Sequence, residues 1–89
     1  MGHRRGEAQI LMDVLTACMN GEKLTHLMYK VNLSYSTLRR YLLAMTNQGL
    51  ISKTSTSSGS RVYHTTQKGR MILNDLNHVK NYLSINASP

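Results

Sequence analysis

Helical stretches of apolar residues, each cut off by a strong turn signal, leave this chain few ways to fold. From Arg4 to Asn20, the residues Ile10, Leu11, Val14, Leu15 and Cys18 recur on one face of an α-helix. Glu7 and Asp13 lie in its earlier half, where the helix dipole favours negative charge. Asn20-Gly21 ends this helix, with Gly21 supplying the left-handed residue past the last turn. The residues before it do not alternate apolar with polar, so a helix stop prevails over a hairpin turn. Glu22-Lys23-Leu24 is too short for a helix and reads as a strand of two or three residues. Thr25 is then placed to cap a second helix of about two turns, carrying Leu27, Met28 and Val31.

Asn32 tolerates the left-handed turn conformation, Leu33 offers an apolar plug, and Ser34 or Ser36 can cap the next helix. This third helix, Tyr35 to Gln48, aligns Leu38, Leu42 and Met45 on its inner side. Ser36, Arg40, Leu43 and Asn47 fall on the opposite side, with Thr37 and Arg39 on the flanks. Leu43 is the exception on that polar side: it either touches an apolar group of a partner or is an ordinary surface leucine. Gly49 stops the helix. Two strand-like runs, Leu50 to Thr54 and Arg61 to Thr65, flank a Ser-rich segment and read as a hairpin with a loose tip. Thr66 caps a last helix from Gln67 to about Leu83, with Ile72, Leu76, Val79 and Leu83 in coiled-coil spacing. Ile72 and Leu76 are expected to complete the core, Met71, Leu73 and Tyr82 to widen the apolar surface, and Asn86 to Pro89 to fray.

The chain has 89 residues, room for one small domain, and 40% hydrophobic residues exclude a disordered segment. Cys18 is the only cysteine, so an intramolecular disulfide is excluded and a reducing compartment is expected. No apolar run nears the ~20 residues of a membrane span, and no apolar stretch behind the first arginines suggests a signal peptide. Charge is the informative quantity. Eleven Lys and Arg stand against four Asp and Glu, a net charge of +7. The acids are Glu7, Asp13, Glu22 and Asp75, so residues 23 to 74 hold Lys23, Lys30, Arg39, Arg40, Lys53, Arg61, Lys68 and Arg70 with no acid among them. Such a field attracts a polyanion.

The expected class is mainly α (α+β): a winged helix-turn-helix, in which a three-helix core carries a β-hairpin wing and a C-terminal helix. Residues 5–66 form the expected DNA-binding domain, and residues 67–85 a helix that completes the core and dimerises. The runs Leu33-Ser34-Tyr35-Ser36-Thr37-Leu38-Arg39-Arg40-Tyr41-Leu42, Gln48-Gly49-Leu50-Ile51 and Tyr63-His64-Thr65-Thr66-Gln67-Lys68-Gly69 carry a resemblance over residues 5 to 83. The chain resembles the archaeal winged helix-turn-helix DNA-binding proteins, small predicted transcriptional regulators related to a Sulfolobus chromatin-associated dimer. That resemblance implies double-stranded DNA as partner. The C-terminal helix is shorter than the chromatin protein's coiled-coil arm, and the wing tip lacks the clustered cations of some relatives.

A major groove ~12 Å wide admits one helix, and bases are read from its leading turns. Ser34, Tyr35, Ser36, Thr37, Arg39, Arg40 and Asn47 are the candidates there. Arg39 or Arg40 forks onto guanine or clasps phosphate, with Arg40 aimed more squarely into the groove. Ser34 and Tyr35 suit phosphate beside free backbone N–H groups, although Ser34 and Ser36 serve equally as caps alone. Lys53 and Arg61 flank the wing and suit phosphates or a minor groove. Lys30 is a further candidate that also suits the dipole of its own helix. Arg4 and Arg5 either form a short arm to DNA or are solvated. Val79, Tyr82 and Leu83 lie too far out for a single domain to cover, which implies a homodimer.

No phosphate-binding glycine loop, nucleophile elbow or paired carboxylate is present, so catalysis is not expected. His3, His26, His64 and His78 lack metal-ligand spacing, and no cofactor or metal is implied. No residues define a site for an effector ligand. The alternatives are a non-specific architectural chromatin protein, or a winged helix used for protein–protein contact. A cytoplasmic, nucleoid-associated location follows from the DNA reading.

Overall fold

A computed structural model describes residues 5–87. Its elements run α1 (Glu7–Ala17), β1 (Glu22–Lys23), α2 (Leu24–Val31), α3 (Tyr35–Asn47), β2 (Ile51–Ser55), β3 (Arg61–Thr65) and α4 (Gln67–Ala87). This is the mainly α arrangement expected. β2 and β3 form the hairpin, with Lys53 opposite Tyr63 and Ser55 opposite Arg61. β1 joins the far side of β3, pairing Glu22 with Tyr63 and Lys23 with Val62, so the antiparallel sheet runs β1-β3-β2. Leu15, Leu27, Leu38, Met45 and Ile51 are fully buried where the first three helices meet the sheet. Their burial is the main force holding α3 in place.

Gly21 and Gly49 carry φ of +84° and +76°, and both end helices as their positions imply. Thr25 is not the cap of α2. Lys23 is extended by its pairing in β1 and hands the chain directly to the helix, so Lys23 holds the N-cap position without a side-chain bond. α1 is shorter than its apolar pattern, because Gly21 N–H bonds the Cys18 carbonyl and closes the last residues into a turn. Met12 is buried too, beside Leu76 of α4.

The C-terminal helix departs most from expectation. It continues through Asn86 and Ala87, where the sequence predicts fraying; Ser88 and Pro89 lie outside the described residues. Among the described residues Leu73 is its buried hydrophobic side chain, while Ile72 and Leu76 are half-buried against the core. The cause is Gly69. It is seated against the Leu50 carbonyl and the Thr65 side chain, which turns the line Gly69, Leu73, Leu76 inward. The wing tip is not loose. Thr56 N–H donates to the Ser60 carbonyl at 2.8 Å, Gly59 N–H to the Thr56 carbonyl at 2.9 Å, and Ser60 N–H to Thr56 Oγ1 at 3.1 Å.

Candidate functional site

The turn between α2 and α3 sets how α3 is presented. Asn32 adopts φ 53° and ψ 53°, reversing the chain, and Leu33 packs on the core as a plug. Ser34 Oγ accepts from Thr37 N–H at 3.3 Å and donates to Thr37 Oγ1 at 3.0 Å, so this serine caps α3 and half-buried Thr37 is occupied in the cap. With Leu38, Leu42 and Met45 buried, the opposite side of α3 faces outward. Ser36, Arg39, Arg40, Leu43 and Asn47 are all exposed there, and Tyr35 is 48% exposed.

A cleft opens between this side of α3 and the hairpin. Arg39, Leu43 and Thr46 line one wall and Lys53, Arg61 and Tyr63 the other. The hairpin register explains the second wall. Lys53 lies opposite Tyr63, and Arg61 is two residues from it, so strand alternation sets all three on one face. Thr46 and Tyr63 line the cleft without having been candidates: Thr46, seven residues after Arg39, falls on the same flank of α3 by helical period, and the i, i+2 spacing of Arg61 and Tyr63 along one strand is the signal for the latter. At about 100 Å³ the cleft is too small for a metabolite and suits a phosphate oxygen or a narrow polar group.

The remaining cations sort by their partners. Among the described residues the ion pairs are Arg5–Asp13, His26–Glu22 and Lys30–Glu22. Lys30 is thus engaged by Glu22 at 2.5 Å and stands apart from the α3 cleft. Arg5 donates to Asp13 at 2.8 Å and to the Asn32 carbonyl at 3.1 Å, so it ties α1 to the helix-turn-helix rather than forming a free arm; Arg4 lies outside the described residues. Arg39, Arg40, Lys53 and Arg61 have no acid partner among the described residues. Hydrogen bonds from Lys30, then from His26, hold the Glu22 carboxyl down at about 2. Burial pushes the Cys18 thiol up to about 12, which leaves it neutral and unreactive.

A second surface lies along α4. Val79, Tyr82 and Leu83 are 55%, 67% and 58% exposed. Val79 and Leu83 join Met12 and Leu76 around an apolar groove between α4 and α1. Among the described residues no helix is long and apolar enough to cross a membrane.

A family model described as winged helix-turn-helix matches residues 4–84. Among solved structures the chain is similar to Sso10a-2, a DNA-binding protein from Sulfolobus solfataricus, at 19% identity and a TM-score of 0.77, covering 96% of this chain and 99% of that one. It is similar to the transcriptional regulator BldR of the same organism at 19% identity and a TM-score of 0.78, covering 85% and 57%. It is also similar to the transcriptional repressor CouR, solved on a 23-mer DNA duplex, at 23% identity and a TM-score of 0.67, covering 84% and 54%. The chain therefore spans nearly all of the first and little more than half of the other two. No curated protein matches it.

Proposed function

This chain belongs to the winged helix-turn-helix family, and on that premise we propose that it binds double-stranded DNA sequence-specifically as a small homodimeric transcriptional regulator. α3 enters the major groove through Tyr35, Ser36, Arg39, Arg40 and Asn47, and the wing rests Lys53 and Arg61 on the backbone or the adjacent minor groove. The single observation that carries this is the distribution of charge. Arg39, Lys53 and Arg61 converge on one cleft with Arg40 on the neighbouring exposed side, while Asp13 and Glu22 are paired elsewhere. A surface built for a protein partner needs no such bias. Support comes too from the relatives: one is a DNA-binding protein, one a transcriptional regulator, and one a repressor bound to a duplex.

Residues 5–66 are the proposed DNA-binding unit. Residues 67–85 complete the core through Leu73 and pair with a second copy through Val79, Tyr82 and Leu83. A two-fold pair of α4 helices buries the groove beside Met12 and offers two recognition helices to half-sites ~34 Å apart. The second reading is sequence-independent architectural binding. The same cations favour it, because a guanidinium on a phosphate carries no sequence information.

Selection from a pool of random duplexes at two salt concentrations separates the two. Enrichment of a palindrome is the expected result; uniform, steeply salt-sensitive retention would favour the architectural role, and no retention would reject both. Sedimentation at high micromolar concentration is expected to give twice the chain mass, and a single 10.0 kDa species would reject the dimer.

A further inference from the structure

Leu43 is 64% exposed on the outward side of α3. The core has no use for it, since Leu38, Leu42 and Met45 fill the inner side. A lone surface leucine carries little meaning by itself. Its surroundings give it meaning. Arg39 and Thr46 lie a turn before and after it on one flank, and Arg40 and Asn47 border the other. Leu43 and Thr46 also share the cationic cleft with Lys53 and Arg61. A duplex held by those cations must cover the leucine.

Within a major groove the one apolar group on a base edge is the thymine C5-methyl; the other bases present donors and acceptors that a leucine would strip of water without replacing. We propose that Leu43 is a specificity-determining residue that selects thymine by contact with this methyl group. The assignment rests on the DNA-binding reading above, and adds a base preference that neither charge nor fold supplies.

The test uses two random duplex pools of identical design, one made with thymine and one with uracil, which lacks only the methyl group. The wild-type chain and Leu43→Ala are each titrated with both pools in direct competition. Leu43 is on the surface, so the variant keeps the core intact, and circular dichroism checks this. Wild type is expected to favour the thymine pool about three- to fivefold, the effect of one buried methyl, and Leu43→Ala to show no preference. Equal retention of both pools by wild type would overturn the assignment while leaving DNA binding in place. A thymine preference kept by Leu43→Ala would place the methyl contact elsewhere and overturn it too. Failure of wild type to retain either pool would instead reject the DNA-binding reading on which it rests.

Discussion

The guanidinium of Arg39 donates through Nη1 to the phenol oxygen of Tyr35, 3.3 Å away and one helical turn earlier. The pair is exposed, so it adds little to folding, but it steadies the guanidinium beside the α3–wing cleft before any partner arrives. A side chain already in place loses less freedom on binding. Tyr35→Phe should leave stability within about 0.5 kcal/mol and weaken duplex binding about two- to fivefold. Fluorescence anisotropy with Arg39→Ala alongside checks this; if Arg39→Ala weakens binding and Tyr35→Phe does not, Tyr35 has no positioning role.

Arg40 and the wing cations should fail in different ways. Arg40→Ala is expected to relax preference at one base position by roughly 1–3 kcal/mol. Lys53→Ala and Arg61→Ala are expected to weaken binding evenly across sequences, each lowering the salt slope by about one. Affinities for a panel of single-base variants, repeated at several salt concentrations, measure both effects.

Much of this architecture is legible in the chain. Gly21, Asn32 and Gly49 each take positive φ where a helix or turn had to end, and Leu38, Leu42 and Met45 all point inward as their spacing requires. What stayed hidden depends on contacts distant in sequence. Ile72 looks like the deepest core residue of α4, yet Gly69 seated against Leu50 turns Leu73 into the interior and leaves Ile72 half-buried against the core. Lys30 looks like a free cation until the passage from β1 into α2 brings Glu22 beside it. Nothing in the strand run marks Thr65 as interior, yet it is buried and its hydroxyl donates to the Leu15 carbonyl at 2.6 Å. The outward side of α3 follows from helical period alone, whereas its meeting with Lys53 and Arg61 needs the hairpin register.

Gly69→Ala tests that packing. Helix preference alone favours alanine by about 0.5–1 kcal/mol. Here the added Cβ would run into the Leu50 carbonyl and come within 2.8 Å of Thr65 Cγ2, and backbone cannot rotate away as a side chain can. The overlap should win, giving a net loss of about 1–3 kcal/mol in urea denaturation.

Stability should depend on pH through Glu22 and Cys18. Glu22 titrates at about 2 when folded, below its ordinary 4.5, so the unfolded chain takes up the proton first as pH falls. Its contribution is complete above about 4.5 and is lost towards 2, and Glu22→Gln should flatten that limb of the Tm profile. Cys18 moves the opposite way, from 9.0 to about 12, so stability should decline as pH rises above 9. At pH 8 a thiol reagent should label the folded chain far more slowly than the unfolded one.

The most direct measurement is an amide chemical-shift titration of the intact chain with a duplex. Binding through α3 and the wing predicts that shifts concentrate between Ser34 and Asn47 and between Lys53 and Arg61, with α1 from Glu7 to Asp13 unmoved. Shifts gathered on α2 around exposed Tyr29, with α3 silent, would contradict it.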